Sequence, residues 1–267
     1  MRVQFVKAHG AGNDFLLSWE QDVPGVDPAA IARAICSRRT GVGADGWYLV
    51  NPGAAGAEPS LRLFNSDGSA AELSGNGTRC AAAMLIEAGL AGEELRLLTG
   101  AGPRLLRLIE RQGRRFLFEM DLGSPSYDPD EIRTHLTLVR GPVEVSVVNV
   151  GNPQCALFVE QFPPDWRTLA AEIERHPRFP HRTNVSISRR LDAHTLEARF
   201  YERGVGETLS SGTGAAGAAV AAVLRGLAQS PVRVQTAAGL LEVRWMPGES
   251  IRQVGPAEIV ARGEYYF

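Results

Sequence analysis

The sequence predicts an α+β protein made of two pseudo-symmetric lobes, each a curved, mostly antiparallel sheet around a central helix, with the active site where the lobes meet. Three observations predict it. Ser74-Gly75-Asn76-Gly77 opens the helix-favouring run Cys80-Ala81-Ala82-Ala83-Met84-Leu85, and Ser211-Gly212-Thr213-Gly214 opens Ala215-Ala216-Gly217-Ala218-Ala219-Val220, 137 residues later. Other landmarks keep nearly that interval: Gly12-Asn13 recurs as Gly151-Asn152 after 139 residues, Arg39-Thr40 recurs as Arg182-Thr183 after 143, and Asn65 and Glu202 each precede their serine by nine. Landmarks in the same order in both halves mark a duplicated structural unit. Finally, short segments at 3–6, 61–64 and 197–201 alternate apolar with polar residues, the period of a half-buried strand.

Each element follows from local chemistry. A serine before Gly-x-Gly is a favoured helix N-cap, so a helix is expected after Ser74 and another after Ser211. Gly89 and Gly226 stop them, because glycine adopts the left-handed conformation that ends a helix without steric cost. Small alanines let a sheet close tightly around each helix. Segment 116–120 reads as a strand ended by the crossing Asp121-Leu122-Gly123-Ser124-Pro125, and 51–59 reads as a Gly/Ala/Pro-rich surface loop. The expected lobes are 1–118 plus 255–267, and 119–254, with a last strand over 258–267 returning to the first lobe.

Composition narrows the function. With 267 residues, 44% hydrophobic, 22% charged and a net charge of −2, the chain is an ordinary globular protein that has no excess of basic residues for nucleic acid. Its longest uncharged apolar stretch, 215–224, is far short of the ~18–20 residues that cross a bilayer. Lys7 and His9 interrupt the amino end before a signal-peptide core forms. The three scattered cysteines, Cys36, Cys80 and Cys155, suit neither a disulfide framework nor a zinc cluster, so a cytoplasmic protein is expected. Self-association as a homodimer is left open.

The repeated element has two readings. Ser74 and Ser211 serve as ordinary helix caps, or else the bare backbone of Gly75-Asn76 and Gly212-Thr213 meets an anion at a helix N-terminus, where unpaired N–H groups and the dipole favour negative charge. One such start is weak evidence. A pair aimed at one cleft would hold a carboxylate from both sides, acidify its α-hydrogen and place one side chain on each face of the α-carbon, an arrangement suited to two-base proton exchange with inversion. Asn13, Asn65, Asn152 and Asn184 read individually as turn residues and together as neutral partners for a zwitterion. Glu202-Arg203 reads as a solvated pair at a strand end or as a charged clamp.

Taken together, Gly10-Ala11-Gly12-Asn13-Asp14-Phe15, Gly41-Val42-Gly43-Ala44-Asp45-Gly46, Phe64-Asn65-Ser66-Asp67-Gly68-Ser69, Gly75-Asn76-Gly77-Thr78-Arg79-Cys80, Gly151-Asn152-Pro153, Tyr201-Glu202-Arg203-Gly204 and Gly212-Thr213-Gly214 resemble the diaminopimelate epimerase family. The resemblance implies a cofactor-independent isomerase, using neither pyridoxal nor metal, that interconverts LL- and meso-diaminopimelate in lysine and cell-wall synthesis. It implies that Asn65, Asn152, Asn184 and Arg203 hold the distal end of a small amino acid substrate, Glu202 the reacting amine, and the backbone at Gly75-Asn76 and Gly212-Thr213 the reacting carboxylate, with Asn13 completing the pocket.

Three positions depart from the family pattern. Ser74 and Ser211 stand where family enzymes carry the two proton-transferring cysteines, and Gln154 stands where a histidine usually assists one of them. A cysteine of pKa ~8.5 is a few per cent thiolate at neutral pH, whereas an alcohol, an acid as weak as water, is not ionised. All three departures fall on proton transfer, so Ser74, Ser211 and Gln154, together with Glu202 at the reacting amine, form the candidate catalytic set. Three readings follow: a family epimerase, either an engineered double-serine variant that binds without turning over or a natural serine form with weak or altered activity; a different isomerase or dehydratase-type lyase on the same fold; or a non-catalytic amino acid binding protein.

Overall fold

The computed structural model describes residues 2–23, 25, 27–53 and 57–267. It divides into two compact units, one of Met1–Met120 with Gly255–Phe267 and one of Asp121–Val254.

In chain order the first unit contains β1 (Arg2–Gly10), β2 (Asn13–Trp19), α1 (Pro28–Ile35), β3 (Gly46–Asn51), β4 (Ser60–Asn65), β5 (Ala70–Ala71), α2 (Gly75–Glu87), β6 (Glu94–Thr99), β7 (Gly102–Gln112) and most of β8 (Arg115–Gly123). The second contains β9 (Thr134–Leu138), β10 (Gly141–Asn149), β11 (Pro153–Phe158), α3 (Trp166–Glu174), β12 (Asn184–Asp192), β13 (Thr195–Glu202), β14 (Gly206–Thr208), α4 (Gly212–Leu224), β15 (Val232–Thr236), β16 (Gly239–Arg244) and the start of β17 (Ile251–Tyr266).

The two units repeat one topology. In the first, β1–β2, β3–β4, β4–β5, β6–β7 and β7–β8 are antiparallel, and β2–β3 and β4–β6 are parallel pairs bridged by α1 and α2. In the second, β10–β11, β12–β13, β13–β14, β15–β16 and β16–β17 are antiparallel, and β11–β12 and β13–β15 are parallel pairs bridged by α3 and α4. Parallel neighbours need such crossovers, which explains where the helices lie. The later part of β17 completes the first unit against β1, from His9↔Glu258 to Arg2↔Tyr266, and β9 lies against β10 in the second.

Each unit is built around its alanine-rich helix. All residues from Gly75 to Leu85 and from Gly212 to Ala222 are buried, so both helices are enclosed on every side; α4 is built there of small and apolar residues, while α2 also buries Asn76, Thr78 and Arg79. Helix α2 packs on β1, β2 and β3, and α4 on β10, β11, β12, β13, β15 and β16. Gly89 (φ 71°) and Gly226 (φ 69°) follow their ends in the left-handed conformation.

The structure differs from the sequence reading in three details. A second, amphipathic helix is present in each unit: α1 buries Ile31, Ala32 and Ile35, and α3 buries Trp166, Leu169, Ala170 and Ile173, at the spacing of one helical face. Strand β8 runs on to Gly123, past the expected stop, and β17 starts at Ile251, ahead of the expected 258. In the loop expected over 51–59, residues 54–56 lie outside the described residues; Asn51 ends β3 and Pro52 and Gly53 follow it.

Candidate active site

Ser74 has extended backbone (φ −127°, ψ 121°), and its Oγ accepts the Gly77 N–H at 3.3 Å, capping α2. Its carbonyl receives Thr78 Oγ1 at 2.8 Å and Tyr48 OH at 3.3 Å. Ser211 repeats this conformation (φ −134°, ψ 121°), with its Oγ accepting from Gly214 N at 3.1 Å. Both caps leave the backbone N–H groups of Gly75 and Asn76, and of Gly212 and Thr213, ahead of the first intrahelical bonds, where a helix offers donors to an anion.

The second glycine of each motif serves packing. A Cβ on Gly77 would lie 2.3 Å from Tyr48 Cε2, and one on Gly214 would lie 2.7 Å from Phe200 Cδ1. An aromatic ring from the sheet occupies each place. Burial pushes the Tyr48 phenol well above its ordinary pKa, so it stays a neutral donor to the Ser74 carbonyl.

Side-chain amides brace both helix starts. In the first unit Asn76 Nδ2 donates to Asn13 Oδ1 at 3.2 Å and Asn13 Nδ2 to Asp45 Oδ2 at 2.7 Å. In the second, Asn152 Nδ2 donates to Thr213 Oγ1 at 3.2 Å, and Gln154 Nε2 donates to Asn152 Oδ1 at 2.6 Å. Gln154 is fully buried, and its Oε1 has no hydrogen-bond partner among the described residues. Gln253 Nε2 donates to the Gly212 carbonyl at 2.7 Å.

Strand register brings the remaining candidates into matching rows. Gln154 pairs with Asn184 across β11–β12, and Glu202, next to the Val185↔Tyr201 pair, ends β13 and pairs with Gly206. The row at the same place in the first unit is Phe15, Gly46 and Asn65. The duplicated scaffold therefore presents different chemistry in its two copies: amide and carboxylate in the second, a ring, a glycine and one amide in the first. Asn184 donates to the Pro153 carbonyl at 3.0 Å and accepts the Arg203 backbone N–H at 3.0 Å. The Arg203 side chain itself is exposed. Asn65 Nδ2 donates to Ser69 Oγ at 3.0 Å, bracing the turn that follows β4.

Residues that the sequence reading passed over support this framework. Glu174 of α3 is buried and accepts the Gly204 N–H at 3.1 Å, while Arg182 and Arg175 pair with it at 3.3 and 3.2 Å, which pins the turn after Glu202 and Arg203. Arg79, Asp45 and Tyr48 do similar work in the first unit. Cys36, Cys80 and Cys155 are buried, and burial raises each thiol to about 12, so they are packing residues at neutral pH. Among the described residues no group of three or more His, Cys, Asp or Glu is arranged to hold a metal, and no helix is long and apolar enough to cross a membrane.

Two copies of one α+β unit, each around a buried helix, define the class of the protein by its fold, which is shared with solved structures that include a hydroxyproline epimerase, a probable proline racemase and PhzF-family proteins. A hydroxyproline epimerase from Agrobacterium vitis superposes with a TM-score of 0.70 at 16% identity, covering 98% of this chain and 92% of that one. A phenazine biosynthesis protein of the PhzF family from Bacillus anthracis gives 0.70 at 16%, covering all of both chains. Within that class the chain belongs to the diaminopimelate epimerase family, whose model matches residues 5–127 and 146–260. The diaminopimelate epimerase of Moorella thermoacetica is 42% identical over 98% of this chain and 99% of its own length, and that of Pelotomaculum thermopropionicum is 39% identical over 98% and 99%.

Proposed function

We propose that this protein binds diaminopimelate, that Ser74 and Ser211 occupy the two proton-transfer positions, one in each unit, and that its epimerisation is slow because both are alcohols. The observation that carries the reading is the repeated helix start, in which a serine Oγ accepts the third amide of its own helix at 3.3 and 3.1 Å while the preceding N–H groups are left for a carboxylate. The names of the full-length relatives support the substrate.

In this reading the backbone of Gly75-Asn76 and of Gly212-Thr213 binds the reacting carboxylate, and Glu202 takes the reacting ammonium. Asn65, Asn152, Asn184 and Arg203 hold the distal amino acid end, and Asn13 completes the pocket. Gln154 orients Asn152 and transfers no proton, because an amide neither gains nor loses one near neutral pH. The reaction calls on no cofactor. A serine can return a proton from one face, but as a base it lies about seven pK units above a cysteine, roughly 10 kcal/mol at ~1.36 per unit. A helix N-terminus lowers such values by a few units at most in cysteines. Binding is thus retained and proton abstraction is the impaired step.

We place the protein in the cytoplasm, with self-association into a homodimer to be read by sedimentation. The deciding experiment combines calorimetry of LL-diaminopimelate with deuterium uptake at its α-carbon in heavy water. The reading requires measurable binding with slow exchange. A chain that exchanges the α-hydrogen rapidly has another base, and one that shows no affinity for diaminopimelate has another ligand.

A further inference from the structure

The start of α2 carries a chain of side-chain hydrogen bonds that begins at a group able only to donate and ends at one able only to accept. Arg79 is wholly buried; it donates from Nη2 to Asn76 Oδ1 and from Nε to the Pro256 carbonyl at 3.2 Å. Asn76 Nδ2 passes to Asn13 Oδ1 at 3.2 Å, and Asn13 Nδ2 passes to Asp45 Oδ2 at 2.7 Å. Asp45 in turn receives Arg38 Nη2 on Oδ1 at 2.8 Å. A guanidinium has no acceptor and a carboxylate has no donor. Turning Asn76 over would face nitrogen to the guanidinium and oxygen to oxygen, and turning Asn13 over would face oxygen to the Asp45 carboxylate. Both amides are therefore confined to one orientation.

The second unit has no such constraint. Thr213 stands in place of Asn76, Asn152 in place of Asn13 and Ala216 in place of Arg79. The chain there runs from Gln154 Nε2 to Asn152 Oδ1 and from Asn152 Nδ2 to Thr213 Oγ1, the direction opposite to that in the first unit, since here the strand-end asparagine donates to the helix residue. None of the three is charged. A hydroxyl both donates and accepts, so the same two bonds form with both amides reversed.

We propose that Arg79 is a positioning residue of this site: through Asn76 it holds Asn13 with its amide nitrogen toward Asp45 and its oxygen toward the helix, so that the first unit offers its ligand a fixed pattern of donors and acceptors. Asn152, by contrast, is able to turn. This rests on the reading of Asn13 as a pocket residue. Burial lowers the Arg79 pKa to about 10, which leaves it cationic at neutral pH.

The test uses the full ¹⁵N-labelled chain, observing the side-chain amide signals of Asn13 and Asn76 and their exchange with solvent, together with the Kd for LL-diaminopimelate. Arg79→Met is expected to speed Asn13 amide exchange at least tenfold and to weaken binding at least tenfold, with Arg79→Lys retaining most of both. A folded Arg79→Met protein with the parent's Asn13 exchange and a Kd within twofold overturns the proposal, as does a lysine variant as defective as the methionine one. If Arg79→Met does not fold, Asn76→Ala cuts the same chain with Arg79 in place, and unchanged Asn13 exchange there is equally fatal. A parent that fails to bind diaminopimelate refutes the proposed function, while the amide signals still decide the role of Arg79.

Discussion

Gln154 lies directly against Gly217: a methyl group on that glycine would come within 2.7 Å of Gln154 Cγ and 2.8 Å of its Cβ. Helix α4 approaches β11 this closely because one of the two positions lacks a side chain. The contact seats Gln154, whose Nε2 then reaches Asn152 at 2.6 Å.

Gly217→Ala is accordingly expected to destabilise the protein by about 1–3 kcal/mol, the usual cost of forcing a methyl into a packed interior. The clash is specific, so Gln154→Ala should recover most of that loss in the Gly217→Ala background. Thermal unfolding of the four proteins in this cycle measures it. Additive effects would show that α4 shifts to make room.

Asp14 makes a pH prediction. Burial pushes its carboxyl upward, but hydrogen bonds from Arg38 (2.6 and 3.2 Å) and Lys7 (3.1 Å), with their charges, outweigh it and hold the pKa below the usual carboxylate value. A depressed folded pKa means that the stabilisation is complete above the unfolded value of ~3.9 and is lost as pH falls through the folded one. Asp14→Asn should lower the melting temperature at pH 7, and its deficit relative to the parent should shrink once the pH drops below about 4. A deficit independent of pH would assign the effect to packing.

Arg203 is expected to contribute affinity for the far end of a long substrate. Its backbone is fixed by Asn184 and the next residue by Glu174, while its side chain is exposed. Losing a charge-assisted hydrogen bond of about 1.5–3 kcal/mol corresponds to roughly a 10- to 100-fold rise in Kd. Calorimetry of Arg203→Ala with LL-diaminopimelate reads it. Equal affinity of the parent for alanine and diaminopimelate would contradict a distal clamp.

Much of this was legible from residue order. The duplication, both buried helices and their ends followed from Ser74, Ser211, Gly89 and Gly226, because caps and stops are local backbone chemistry. The α1 signal was present as Asp27-Pro28, an N-cap whose side chain accepts from Ala29 N ahead of a proline in the first turn, but the alanine-rich helices overshadowed it. Arg79 was illegible: an arginine beside an alanine run ordinarily marks a solvated face, whereas here it is wholly buried and bonded to the Pro256 carbonyl of β17, 177 residues away. The rows Gln154–Asn184 and Phe15–Gly46 are likewise products of register, which residue spacing alone does not specify.

Restoring thiols is expected to restore chemistry. Ser74 and Ser211 keep matched cap geometry, with Oγ 3.3 and 3.1 Å from the amide three residues on. Inversion needs a base on one face and an acid on the other. The Ser74→Cys, Ser211→Cys double variant should therefore epimerise LL-diaminopimelate at least 100-fold faster than the parent, a conservative share of the roughly 10 kcal/mol that separates alcohol from thiol as a base at ~1.36 kcal/mol per tenfold. Each single variant has one thiolate and should exchange the α-hydrogen with deuterium in one substrate isomer faster than it inverts it. Deuterium incorporation and stereochemical outcome, followed in the parent, both singles and the double, separate these steps. A double variant that binds diaminopimelate yet neither exchanges nor inverts it would show that two thiols do not suffice, and Gln154→His would then test the third departure, since a neutral imidazole can take the proton that a glutamine cannot. Such a histidine must still fit against Gly217, the position already filled to contact by Gln154.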